Sequence, residues 1–226
     1  GIDPALERTP LYGNASLGLG ESQSRTWENL VGRSLPFWRG RYPALQQRFP
    51  QLQSVPLEHF YRAINRVKPG LVRVQSDEVT YSLHIILRFE LEQALADGTL
   101  TPADLPEAWN AKMRELLGVD VPDDLTGVLQ DVHWSRASYG YFPTYALGNV
   151  LSVQIWRAVQ EELPDLDAQL EAGEFGPLYE SLRQRLYRHG RKFTPLETLE
   201  RAIGADAIDP QPYLEYLRDK VQSLRA

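Results

Sequence analysis

The sequence predicts an all-α chain, with at most one short strand or hairpin near residues 71–75. Three observations carry this. Apolar residues recur at helical spacing through most of the chain, as at Val79, Leu83, Ile86, Leu87 and Leu91. Helix punctuation is dense: Thr194-Pro195-Leu196-Glu197 is a capping box with proline in the first turn, and Gly98 and Gly118 follow apolar runs. Clear period-two alternation is confined to Leu71-Val72-Arg73-Val74.

Residues 1–17 read as loop, broken by Pro4, Pro10, Gly13 and Asn14. A helix is expected from Leu19 to Ser34, placing Trp27, Leu30 and Val31 on one face and Glu21, Arg25 and Glu28 on another. A short helix follows over "FWRGRYPALQQRFP", stopped by Pro50. Leu57 to Val67 is amphipathic through Phe60, Ile64 and Val67, and "KPG" then turns the chain. Ser76 or Asp77 to Ala96 is strongly helical, with the apolar stripe named above. Thr101 is the expected N-cap of a helical turn before "PEAWNAKMRELLG". An aromatic-rich stretch, "TGVLQDVHWSRASYGYFPTY", lacks periodicity and leads into a helix from Thr144 to Leu163. Helices broken by Pro164 and Gly173 come next, then one from Pro195 and a last one after Asp209-Pro210. No repeat and no linker divides residues 1–226, so one helical domain is expected.

The composition narrows function. With 226 residues, 42% hydrophobic and 24% charged, the chain is ordinary for a globular protein. A net charge of −6 gives no electrostatic footprint for nucleic acid. The basic cluster of Arg183, Arg185, Arg188, Arg191 and Lys192 reads as a solvated helix face or as a binding site. The absence of cysteine excludes disulfides and thiolate chemistry and fits a reducing cytoplasmic compartment. No apolar run approaches the ~18 residues of a membrane span, and the polar opening residues do not form a signal peptide.

Three stretches are dense in reactive groups. In Glu21-Ser22-Gln23 the helical carboxylate is either a metal ligand or half of an i,i+4 pair with Arg25. In "LVRVQSDE", Arg73 either holds a carboxylate bidentately or faces solvent, and Asp77 either caps the next helix or orients Arg73. In "GVLQDVHW", His133 between Asp131 and Trp134 either supports a developing oxyanion, with Tyr139, Tyr141 or Tyr145 adding a phenol, or packs in an aromatic loop. The remaining histidines read as bland: His84 satisfied and partly buried on a helix, His59 on the surface, His189 at a helix end. HExxH, GxSxG, P-loop and GxGxxG motifs are absent from the sequence.

Together, "ESQSRTWENLVGRS", "LVRVQSDEVTYSLHIILRFELE", "GVLQDVHWS" and "GYFPTYALGN" occur in an order that resembles the C-terminal part of the carboxypeptidase Taq family of zinc metallocarboxypeptidases. The resemblance covers essentially the whole chain. It implies a helical groove around zinc and a homodimer. Glu21 matches the third zinc ligand. Arg73 and Asp77, with Gln130 and Asp131, match substrate-binding and groove-lining motifs. His133 matches a transition-state donor, Tyr141 or Tyr145 a phenol near the scissile bond, and Arg188 or Arg191 a partner for the substrate carboxylate. Two positions depart from the pattern: Gly20 stands where a histidine is usual, and Gln75-Ser76 replaces an acidic residue and alanine. The HExxH helix that supplies two ligands and the base lies further upstream of Glu21 than the twenty residues present here. The expectation is therefore a C-terminal portion that holds no catalytic zinc and is inactive alone, retaining a peptide groove or a regulatory role. Two alternatives are a piece of an active enzyme whose HExxH is upstream, and a dimeric interaction module without catalysis.

Overall fold

A computed structural model describes residues 1–225. Ten α-helices carry them, and no strand occurs among the described residues. The helices are α1 (Leu17–Arg25), α2 (Leu35–Arg48), α3 (Leu57–Ile64), α4 (Tyr81–Ala96), α5 (Leu105–Leu117), α6 (Pro143–Glu162), α7 (Leu166–Ala172), α8 (Gly176–Arg185), α9 (Pro195–Ile203) and α10 (Gln211–Arg225). The chain divides into two compact units: residues 1–64 with 147–226, and residues 65–146. The first unit is discontinuous in sequence, and neither junction has a composition that marks a linker.

The larger unit is built on α6. Leu151, Ile155 and Val159 recur every four residues on one face and are buried, together with Leu178 and Leu182 of α8 and Leu199 of α9. Each such side chain contributes about 1.5–3 kcal/mol of transfer free energy. The N-terminus of α1 is capped by Ser16, whose Oγ accepts from Leu19 N at 3.1 Å. The expected helix to Ser34 continues as a π-helical segment, Thr26–Val31. There Ser22 and Thr26 turn their hydroxyls back onto the carbonyls of Leu19 and Ser22. Such back-bonding competes with the regular ladder and accompanies its widening. Pro36 sits in the first turn of α2, where its missing N–H costs nothing. At Gly40 the backbone of α2 comes so close to α7 that an added Cβ would lie 1.8 Å from Glu171 O.

The smaller unit rests on α4 against α5. Leu87 and Leu91 meet Trp109, Met113 and Leu117, the last three again at four-residue spacing. Gly118 closes α5 in the left-handed region, φ 67°, and its N–H returns to Arg114 O. Two sequence expectations change here. Residues 71–75 are not a strand: Arg73–Gln75 form a single 3₁₀ turn. No neighbouring strand offers a ladder, and the Arg73 N–H is taken by the Gln130 side chain at 2.9 Å. The α4 stripe also differs. Ile86 is 40% exposed, whereas His84, Ile85 and Arg88 are buried.

Candidate functional site

The smaller unit gathers its polar residues around Asp131. Oδ1 accepts from Arg73 Nε at 3.1 Å and Nη2 at 2.7 Å. Oδ2 accepts from Arg88 Nε at 2.7 Å. Gln130 completes the frame. Its Oε1 accepts from Arg73 N and Arg88 Nη2, both at 2.9 Å, and its Nε2 donates to the carbonyls of Leu71, Thr126 and Gly127. One Gln-Asp pair thus ties the 3₁₀ turn, α4 and the loop before His133 together. Arg73 Nη1 also donates to Tyr81 Oη at 2.9 Å, and its guanidinium lies 4.8 Å from the Tyr145 ring centroid. Arg88 stacks over Trp109 at 4.5 Å.

His133 follows on the next turn. Its Nε2 meets Tyr145 Oη at 3.1 Å, and its Nδ1 lies 3.9 Å from Asp131 Oδ1. The rings of Phe142, Tyr141 and Tyr145 surround it at centroid distances of 4.3, 5.4 and 5.9 Å. Tyr145 stands in the first turn of α6, which aims its phenol back at the imidazole.

Charge in this cluster is unbalanced. Two guanidiniums share one carboxylate, and both arginines and the aspartate are nearly buried. Burial pushes the Asp131 carboxyl up, but the hydrogen bonds from Arg73 and the charges of Arg88 and Arg73 prevail and hold it below its ordinary value. Burial lowers Arg88 to about 10 despite the carboxylate. Arg73 is raised: burial opposes its charge, and the bonds to Asp131 outweigh that. His133 is lowered by burial first, with Asp131 opposing, so it is neutral at pH 7. His84 is more extreme than its sequence suggests. It is fully buried, neither ring nitrogen has a hydrogen-bond partner, and burial with the charges of Arg88 and Arg73 brings its pKa to about 4.

Asp77 closes the turn that leads into α4, whose N-cap position is Thr80. Its Oδ1 accepts from Val79 N and Thr80 N at 2.9 Å, and its Oδ2 from Thr80 Oγ1 at 2.7 Å and Lys68 N at 3.1 Å. Arg88 and Tyr81 are the members that the sequence did not single out. A detectable signal existed for Arg88: a cation at i+4 from His84 and one residue after Leu87, inside the run "LHIILRFELE".

The other candidates belong to the larger unit. Glu21 is half-buried on α1, where Arg25 pairs with Glu28 at 2.7 Å. Gly148 of α6 lets the helices approach: an added Cβ would lie 2.7 Å from Glu21 Cβ and 2.9 Å from its carbonyl carbon. At Gly20 an added Cβ would come within 2.7 Å of Asn14 Nδ2, so Asn14 occupies the space beside it. Arg188 and Arg191 are exposed; Arg188 donates to Gln184 and Arg191 Nε to Asn14 O at 3.1 Å. Arg183 and Arg185 pair with Glu180 and Glu162. A catalytic zinc takes three protein ligands. Among the described residues no group of three His, Cys, Asp or Glu is placed to hold a metal ion. The donors among the described residues therefore do not make a zinc centre by themselves.

No helix among the described residues is long and apolar enough to cross a membrane. The profile of the carboxypeptidase Taq (M32) metallopeptidase family matches residues 1–221. Thermostable carboxypeptidase 1 of Thermus thermophilus is 48% identical over 216 residues, 96% of this chain and 42% of that protein. Carboxypeptidase 1 of Bacillus subtilis is 41% identical over 99% of this chain and 44% of its own length. The crystal structure of an M32 carboxypeptidase from Deinococcus radiodurans superposes with a TM-score of 0.94 at 46% identity, covering 99% of this chain and 45% of that one. The chain thus spans somewhat under half the length of the relatives it matches, and over that span it belongs to the carboxypeptidase Taq (M32) metallopeptidase family.

Proposed function

We propose that this chain is the C-terminal, groove-forming part of a zinc metallocarboxypeptidase, and that its 226 residues alone release no C-terminal residues from peptides. The observation that carries the reading is the His133–Tyr145 pair, 3.1 Å apart, on a buried Arg73–Asp131–Arg88 frame. A neutral imidazole and a phenol fixed side by side carry one proton shared within the pair and one more suited to an oxyanion that develops on a scissile carbonyl. Tyr141, tilted against the imidazole and edge-on to the Tyr145 ring, closes the apolar side. In this reading Arg73, Gln130 and Asp131 serve the groove by fixing His133, and Asp77 fixes the turn that carries Arg73. Exposed Arg188 and Arg191 are the candidates for meeting a substrate carboxylate. Glu21 supplies one zinc ligand, and the others come from outside these residues. A homodimer in the cytoplasm fits the family and the cysteine-free composition.

Purified chain is assayed for zinc content and for release of the C-terminal residue from an N-blocked dipeptide. The expected result is substoichiometric zinc and no release. Stoichiometric zinc with turnover overturns the claim of inactivity. In a longer form that carries HExxH, His133→Ala lowers kcat by about 10²–10³. An undiminished kcat removes the donor role.

A further inference from the structure

We propose that the cavity beside the second half of α4 binds a small organic cation, an aromatic or branched aliphatic body bearing an ammonium group. The cavity measures about 730 Å³, within the range that encloses a drug-sized molecule. Its walls are largely apolar: Phe89 of α4, Leu105 of α5, and Trp134 and Tyr139 of the loop before α6. Phe89 and Tyr139 are 42% and 62% exposed, which leaves aromatic surface open to a ligand.

Glu92 sets the charge that the cavity takes. It lines the cavity and is only 7% exposed. One carboxylate oxygen accepts from Gly140 N, and Oε2 has no hydrogen-bond partner. Among the described residues no cation pairs with it. A buried carboxylate oxygen left unpaired in an apolar wall is costly. Oε2 is itself closed off from solvent, so an ammonium in the cavity answers the carboxylate's charge across the wall, and the neighbouring aromatic rings add cation–π attraction. A neutral ligand leaves the carboxylate as it is, and an anion is repelled. The cavity also shares its loop with the His133 cluster, since Trp134 and Gly140 adjoin His133 and Tyr141 in sequence. Occupancy should therefore be visible at His133 without any metal in the protein, and the proposal stands apart from the peptidase reading.

The test titrates the chain with 2-phenylethylamine, N-acetyl-2-phenylethylamine and 3-phenylpropionate, by calorimetry and by the imidazole resonances of His133. Saturable one-site binding of the amine is expected, with both uncharged and anionic counterparts weaker by roughly tenfold or more. Glu92→Gln keeps an acceptor for Gly140 and should weaken the amine by about the same factor. Leu105→Trp should abolish binding by filling the cavity. If Glu92→Gln fails to fold, Tyr139→Ala at the exposed wall carries the test through a loss of affinity. Equal binding of all three probes, unchanged affinity in folded Glu92→Gln, or no saturable binding overturns the proposal. So does sedimentation showing a dimer whose formation excludes the amine.

Discussion

Asp131→Asn is the perturbation that most directly probes the frame. The side chain is 9% exposed and faces Arg73 at 7% and Arg88 at 0%. Asparagine keeps the shape but removes the only anion bonded to either guanidinium in this frame. It also turns an amide donor toward one of them. Breaking a buried ion pair by neutralising one partner costs about 3–5 kcal/mol, because the remaining charge stays desolvated. Total stability is roughly 5–15 kcal/mol, so the loss is a large fraction of it. The comparison is Asp120→Asn, which breaks the Arg114–Asp120 pair at 2.9 Å with side chains 65% and 85% exposed. That pair is screened by water and its loss should stay within about 0.5–1 kcal/mol. Urea unfolding gives both values, and amide exchange assigns the Asp131→Asn loss to α4 and α5. A cost for Asp131→Asn below about 1 kcal/mol, at an unchanged m-value, refutes the reasoning. It would mean that water reaches the guanidiniums as readily as it reaches Arg114.

His84 makes stability depend on pH. Its ordinary pKa is near 6.5, and in the fold it stays neutral to about 4. Between those values the unfolded chain binds the extra proton, so stability falls as pH drops from 6.5 to 4, by about 3 kcal/mol at most. Urea midpoints at several pH values should show this slope, and His84→Leu should remove most of it; an unchanged slope assigns it elsewhere. Gly40→Ala should destabilise by about 3 kcal/mol, since the Cβ would lie 1.8 Å from the Glu171 carbonyl oxygen. Gly70→Ala, with no atom within 4 Å of its Cβ, is the control and should change the melting temperature little. Thr194→Ala removes the capping box of α9 and should cost about 1 kcal/mol in the same unfolding assay.

Much of the fold is legible because its helices announce their ends. Thr194 and Glu197 form the reciprocal cap that their spacing indicates, and Gly118 and Gly173 adopt the left-handed caps that stop α5 and α7. The failures share a cause: a tertiary partner overrides a local pattern. "LVRV" alternates like a strand, but a strand needs a ladder, and the side chain of Gln130 captures the Arg73 N–H instead. Asp77 looks like the start of α4, yet its carboxylate accepts backbone N–H groups from Val79 and Thr80 and so stabilises a turn. The helix starts only at Tyr81. Ile86 continues an apolar stripe on paper. The face that is buried includes His84 and Arg88, and Asp131 meets Arg88 there.

The same logic separates what the site shows in sequence from what it hides. His133 between Asp131 and Trp134 stands out because reactive types crowd into an aperiodic loop. Arg88 stands out less, because its partner is 43 residues away and its one local signal is a cation inside an apolar run four residues after His84. Arg73 is visible in sequence, with a bidentate carboxylate partner or solvent as its alternatives. The carboxylate it holds is the protein's own, 58 residues on, and a phenol takes a third donor. An arginine so engaged positions its neighbours more than it reaches for a ligand. In the proposed function the groups that meet a peptide carbonyl are then the imidazole and the phenol, which stand 3.1 Å apart beside the arginine frame. The rigidity of that frame, more than its charge, is what a groove of this kind requires, because donors preset for a transition state need no rearrangement when it forms.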